Sequence, residues 1–94
     1  MLTVKQKVKL RSLAMTIKPI YQIGKDGITE NLVEGLSLAL EAHELIKVSV
    51  LKTVSAPLNE IAYDITSATH SEFVQIIGRQ VVLYRKSKKQ LIKL

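Results

Sequence analysis

The chain of 94 residues has no cysteine and no tryptophan, which excludes disulfides, thiolate metal sites and a cysteine nucleophile. No apolar run approaches the ~20 residues that a membrane-spanning helix requires. The first residues, Met1-Leu2-Thr3-Val4-Lys5-Gln6, lack the apolar core of an export signal, so a cytoplasmic location is expected. Aromatic residues are scarce: Tyr21, Tyr63, Phe73 and Tyr84 are the whole supply. A sheet that stacks bases on paired rings gains roughly 1–3 kcal/mol per base. Only Tyr21 and Tyr84 are candidates for that here, and core packing is the expected role of both.

Acidic residues are missing from both ends of the chain. Residues 1–25 hold Lys5, Lys7, Lys9, Arg11, Lys18 and Lys25 and no carboxylate; residues 73–94 hold Arg79, Arg85, Lys86, Lys88, Lys89 and Lys93, again with none. All eight carboxylates lie between, offset only by Lys47 and Lys52. The formal net charge of +6 is therefore the remainder of two basic ends around an acidic middle. A chain of this size has a radius of gyration of roughly 12 Å, so the two ends cannot be far apart. If they share one side, that side attracts phosphate over roughly 8 Å at physiological salt, which points to a polyanionic partner.

What is present is an ordinary folding composition, 47% hydrophobic and 23% charged, sufficient for one domain with one core over 1–94. Thr3 and Gln6 fit a capping box, after which Gln6, Leu10, Leu13, Ala14 and Ile17 line one face of a helix that Pro19 stops. Lys7, Arg11 and Lys18 flank that stripe on one side, Lys5 and Lys9 on the other. Ile20 to Ile23 reads as a short strand. Thr29 caps a second helix reaching about His43, with Leu32, Leu36, Ala39 and Leu40 inward and Glu34 and Glu41 outward. Leu45 to Leu51 alternates as a half-buried strand, with Ile46, Val48 and Val50 on one face and Lys47 and Ser49 on the other. Pro57 opens a third helix carrying Leu58, Ile61, Ala62 and Ile65. Two strands, 73–77 and 81–85, flank Gly78-Arg79-Gln80, a three-residue hairpin loop. Residues 86–94 form a basic tail. The order α-β-α-β-α-β-β gives an α/β domain with three helices and a mixed four-stranded sheet.

Little here can do covalent chemistry. His43 and His70 each fall near a helix end, outside any metal-ligand spacing, where capping or packing is the usual role. Glu30 with Glu34, and Glu41 with Glu44, sit at helical spacing on a face expected to be solvated, whereas general acid–base work needs carboxylates in a pocket. Neither G-x-S-x-G nor the phosphate loop G-x-x-x-x-G-K-[ST] is present. No enzyme, metal, cofactor or small-molecule substrate is expected.

The one constellation with a physical purpose is Gly24-Lys25-Asp26-Gly27. Two glycines three apart, between a strand and a helix, let the backbone approach a sugar-phosphate chain without β-carbons in the way. The helix N-terminus that follows favours phosphate, and Lys25 supplies a point charge. This is the logic of the K-homology loop, which clamps about four nucleotides.

The run Lys18-Pro19-Ile20-Tyr21-Gln22-Ile23-Gly24-Lys25-Asp26-Gly27-Ile28-Thr29 resembles the signature of the CRM domain, the chloroplast RNA splicing and ribosome maturation family. Residues 40–48, Leu40-Glu41-Ala42-His43-Glu44-Leu45-Ile46-Lys47-Val48, resemble its second block and residues 74–85 its third. The likeness covers all but the tail, and a free-standing copy of this length is similar to the bacterial YhbY-type members. The resemblance implies a fold similar to the C-terminal domain of bacterial translation initiation factor three. It also implies binding to ribosomal RNA in precursors of the large ribosomal subunit, through the glycine loop and a neighbouring basic surface. The expected contact set is Gly24, Lys25, Asp26, Gly27, Lys5, Lys7, Lys9, Arg11, Lys18, Arg85 and Lys86, on a monomer. The family commonly has Asn at the position of Asp26, and a carboxylate there repels phosphate unless it turns away. Two other readings stand beside this one. The acidic helices can dock a basic ribosomal protein, or the first helix can lie on an anionic membrane surface.

Overall fold

The computed structural model describes residues 2–94. Its elements follow in the order α1 (Val4–Ala14), β1 (Tyr21–Ile23), α2 (Glu30–His43), β2 (Leu45–Val50), α3 (Leu58–Thr69), β3 (Glu72–Ile77) and β4 (Gln80–Tyr84). The sheet order is β1-β2-β4-β3, with β1 parallel to β2 and the other pairs antiparallel. This is the mixed four-stranded sheet with three helices that the pattern predicts, and the radius of gyration is 12.4 Å.

Strand periodicity divides the core in two. Ile23, Ile46, Val48, Val50, Val81 and Leu83 face α2 and α3, where they meet Leu36, Leu40, Ile61, Ala62 and Ile65. Leu45, Val74, Val82 and Tyr84 face the other way and meet Leu10 and Ala14 of α1. β2 is therefore buried on both faces rather than one, because α1 covers its second face; even Lys47 is 7% exposed. Tyr84 is a core residue, as expected. Tyr21 lies against Gly35 of α2, where an added β-carbon would stand 2.5 Å from the phenol oxygen.

Local differences from the sequence reading have identifiable causes. The capping box forms as predicted, with Gln6 N donating to Thr3 Oγ1 at 3.1 Å and Thr3 N to Gln6 Oε1 at 2.9 Å. α1 nevertheless ends at Ala14, several residues before Pro19. Met15 N bonds back to Ser12 O, three residues away instead of four, and Thr16 occupies Leu13 O through both its amide and its hydroxyl. This tightens the last turn and unwinds the helix. Lys18 consequently sits on the connection to β1, and Leu13 stays 38% exposed. The β3–β4 connection is a two-residue turn, Gly78-Arg79, since Ile77 pairs with Gln80. Gly78 has φ +58° and Arg79 does not share that sign, which suits the glycine-first type II′ turn.

The largest departure concerns Glu44, which the helical spacing places on a solvated face. The residue is 0% exposed and has φ +65°, a left-handed value costly for anything but glycine. Its backbone caps α2 through N–H to Leu40 O at 2.8 Å and accepts from Arg85 N at 2.9 Å. Its carboxylate accepts from Ser87 N (2.8 Å), Ser87 Oγ (2.6 Å) and Ile92 N (2.7 Å). The basic segment 86–94 is thereby folded down: Ser87 is buried and Ile92 packs into the α1 core.

Burial alone would raise the Glu44 pKa. The hydrogen bonds from the Ser87 hydroxyl and from the amides of Ile92, Ser87 and Leu91 outweigh it and hold the carboxyl below its usual value. A depressed folded-state pKa contributes stability that is complete above the unfolded value, near 4.5, and disappears as pH falls through the folded one. Glu44→Gln, which turns an amide donor toward N–H groups, is expected to cost about 2–4 kcal/mol at pH 7. Thermal unfolding of both proteins across pH 2–7 checks this, and the gap between them should narrow as pH drops through the acid range.

Candidate nucleic-acid interface

The glycine loop closes as a turn, Gly27 N donating to Gly24 O at 2.9 Å. Gly27 has φ +69°, and a β-carbon built on it meets nothing within 4 Å. Glycine is thus required there by backbone conformation while the space outside it is open. Lys25 and Asp26 are exposed. The loop is anchored through Leu51, whose N–H donates to Ile23 O at 2.9 Å and whose side chain lies 3.3 Å from where a Gly24 β-carbon would be. Leu51 O in turn accepts from Arg79 Nη2 at 2.9 Å, and Arg79 Nε donates to Val50 O at 2.9 Å. Lys25, Lys52 and Arg79 therefore share one end of the sheet. Lys52 and Arg79 escape a reading of the sequence because only the strand order brings their segments beside the loop.

The start of α2 contributes less to phosphate than the motif implies. Thr29 Oγ1 accepts from Leu32 N at 3.1 Å, and Glu30 occupies the first turn. One orphan amide and much of the positive end of the dipole are already answered from within the chain.

The other expected contacts divide between places. Lys5, Lys9 and Arg11 are exposed on α1, Lys7 is half-buried, and Lys9 Nζ donates to the Lys93 carbonyl. Arg85 and Lys86 follow β4 at Tyr84, which pairs with Leu45. The glycine loop follows Ile23, which pairs with Val50. Five strand residues separate these ends, roughly 17 Å, so Arg85 and Lys86 do not gather at the loop. Arg85 is also committed internally: Nη1 donates to Ser37 Oγ (3.0 Å) and Thr69 O (2.8 Å), and Nη2 to Ser37 O (2.7 Å). It ties β4 to α2 and to the end of α3, where His70 caps in the left-handed conformation.

The layers give the charge pattern its geometry. Neither α2 nor α3 contains Lys or Arg, and their Glu30, Glu34, Glu41, Glu60 and Asp64 are all exposed. α1, on the opposite face of the sheet, carries four cations and no acid. Five of the eight carboxylates thus lie in one layer, and the four cations of α1 lie across the sheet from it. A polyanion is drawn to the α1 side and repelled from the other. Among the described residues, no cluster of three or more metal-ligating side chains occurs and no helix is long and apolar enough to cross a membrane.

If Arg85 acts as a tie between elements, charge alone cannot replace it. Arg85→Lys is expected to lose nearly as much stability as Arg85→Ala, about 1–3 kcal/mol, because one ammonium cannot span three acceptors. Urea unfolding of the two variants measures this.

Comparison with known proteins agrees with these features. Residues 2–85 match the CRS1/YhbY (CRM) domain. The Bacillus subtilis protein named Probable RNA-binding protein YqeI is 47% identical over 88 residues, spanning 94% of this chain and 92% of that one. A Haemophilus influenzae protein named RNA-binding protein is 38% identical over 93 residues, covering 99% and 94%. The solution structure of a Staphylococcus aureus protein superposes with a TM-score of 0.81 at 52% identity, covering 94% and 92%. The glycine loop at one sheet end, the seven-element order and a match over residues 2–85 have one explanation: this chain belongs to the CRS1/YhbY (CRM) domain family.

Proposed function

We propose that the protein binds structured ribosomal RNA in precursors of the large ribosomal subunit, in the cytoplasm, with phosphate contacts supplying most of the affinity. The observation that carries this reading is the loop end of the sheet. A turn with open space outside Gly27 stands beside Lys25, Lys52 and Arg79, on a molecule whose exposed helical acids, Glu30, Glu34, Glu41, Glu60 and Asp64, occupy the opposite layer. Relatives named as RNA-binding proteins along nearly their whole length support it. Lys25 makes the phosphate contact at the loop, and the exposed cations of α1 extend the footprint. The glycine turn lets the RNA backbone come close. Asp26, exposed beside Lys25, has room to turn outward, so the loop backbone and Lys25 rather than the carboxylate meet the RNA.

Phosphate-led binding has a salt signature, because each neutralised phosphate releases counterions. Arg11→Ala with Lys25→Ala is expected to weaken binding to a large-subunit RNA fragment and to flatten the log–log salt slope by up to about one unit per lost contact. Fluorescence anisotropy at several salt concentrations gives both quantities, and an unchanged slope counts against the reading. If particles from cells retain the protein after the basic face is neutralised, docking through the acidic helices gains instead.

A further inference from the structure

The α1 face of the sheet is only half covered. Leu45, Val82 and Tyr84 lie under α1 with Val74. Toward the glycine loop, the register places Gln22, Ser49, Gln80 and Ile77 in one row across all four strands on that same face. Gln22 is exposed, Ser49 and Gln80 are half-buried and Ile77 is 40% exposed. A shallow groove of about 520 Å³ runs along the row and ends at Lys52, Gly78 and Arg79. The next row holds Lys47, Val82 and Gln75. Lys47 is buried as a residue, yet no buried side-chain nitrogen or oxygen lacks a partner, and its ammonium has no bond within the chain. Its stem therefore lies under cover while its charge keeps contact with solvent.

Three features distinguish this row from an ordinary solvated sheet face. Among the described residues, the side chains of Gln22, Ser49, Gln75 and Gln80 make no hydrogen bond to the rest of the chain, so their donors and acceptors are free. The row is bounded by cations, Lys47 on one side and Lys52 with Arg79 at the end, and holds no acid. It also lies between the loop and α1, so any strand of RNA that touches both must cross it.

We infer that the uncovered row Gln22–Ser49–Gln80 receives the base edges of a single-stranded RNA segment whose backbone rests on the glycine loop. This rests on the RNA reading above and adds to it a place where bases, not only phosphates, are met. Each glutamine amide presents a donor beside an acceptor, the pattern that matches the edge of an unpaired base. With no aromatic ring in the row, recognition is by hydrogen bonds rather than stacking. Paired RNA hides these edges, so the surface favours single strands, loops or bulges over duplex.

The probe is a 12-nucleotide RNA without self-complementarity, alone and annealed to its complement, titrated against the intact protein. Wild type should bind the single strand more tightly than the duplex. Gln22→Ala with Gln80→Ala should lose roughly tenfold on the single strand and less than twofold on the duplex, with the salt slope retained. Gln22→Glu with Gln80→Glu, of the same size but negatively charged, should lose more. Thermal unfolding verifies that both remain folded. Single-strand affinity unchanged in both glutamine variants, or a duplex bound as tightly as the single strand by wild type, overturns the inference. If the Arg11/Lys25 variant still weakens on both probes in that case, the phosphate-led reading survives alone. No binding of wild type to either RNA overturns both.

Discussion

The fold turns on one buried carboxylate. Glu44 occupies the single residue between α2 and β2, a position where the backbone must bend at positive φ and where glycine is the unstrained choice. The chain accepts that strain because the side chain closes the molecule elsewhere. It collects the amides of Ser87 and Ile92 and the Ser87 hydroxyl, and so converts the segment after β4 from a solvated basic tail into a cover for the α1 core. The consequence reaches the basic surface. Ile92 packs beside Leu10 and Ala14, and Lys9 of α1 donates to the Lys93 carbonyl. The helix that carries four of the cations is thus held partly by a carboxylate that never meets solvent. Burial, followed by the charge of Glu44, also pushes the Tyr84 phenol up, so that core keeps a neutral hydroxyl beside its one anion.

A second consequence of the strand order is that the basic residues form a band rather than a cluster. The loop, Lys52 and Arg79 lie at one end of β2; Arg85 and Lys86 lie at the other. Two of these arginines are spent on structure, Arg79 on the carbonyls of Val50 and Leu51 and Arg85 on Ser37 and Thr69. A guanidinium bound to backbone carbonyls is a fixed positive boundary, whereas exposed lysines are mobile point charges. The charge available to a partner is smaller than the count of cations along the sequence, but it is spread over a longer footprint.

Elements and core were legible in the sequence because they rest on local chemistry. The Thr3–Gln6 box, the Thr29 cap, the stripe Leu36–Leu40 and the alternation through Ile46, Val48 and Val50 all act within a few residues. The candidate site was half legible for the same reason: the glycine turn is local, whereas its neighbours Lys52 and Arg79 lie far along the chain and arrive through the parallel pairing of β1 with β2 and the β3–β4 hairpin. The inward turn of Glu44 was barely legible. Nothing in Glu41-Ala42-His43-Glu44 says that the second carboxylate turns inward, since its partners lie more than 40 residues away. A glutamate at a helix end followed at once by a strand was the only local clue, because a glycine or asparagine is the ordinary residue for that bend.

The satisfied start of α2 explains why the loop alone makes an incomplete site. In a phosphate site built on a helix terminus, free amides and the dipole supply much of the attraction. Here Thr29 takes one amide and Glu30 opposes an anion in the first turn, so the loop offers close approach and one lysine but little enthalpy. Additional contacts must come from residues that share its end or its face of the sheet. The acidic layer of α2 and α3 cannot provide them. The α1 face can, because the rows left bare between α1 and the loop hold free amides and a hydroxyl and are bounded by Lys47, Lys52 and Arg79. In the proposed complex, an RNA held weakly at the turn is directed across the sheet toward α1, and the same geometry that starves the loop of binding groups sets the path along which the rest are found.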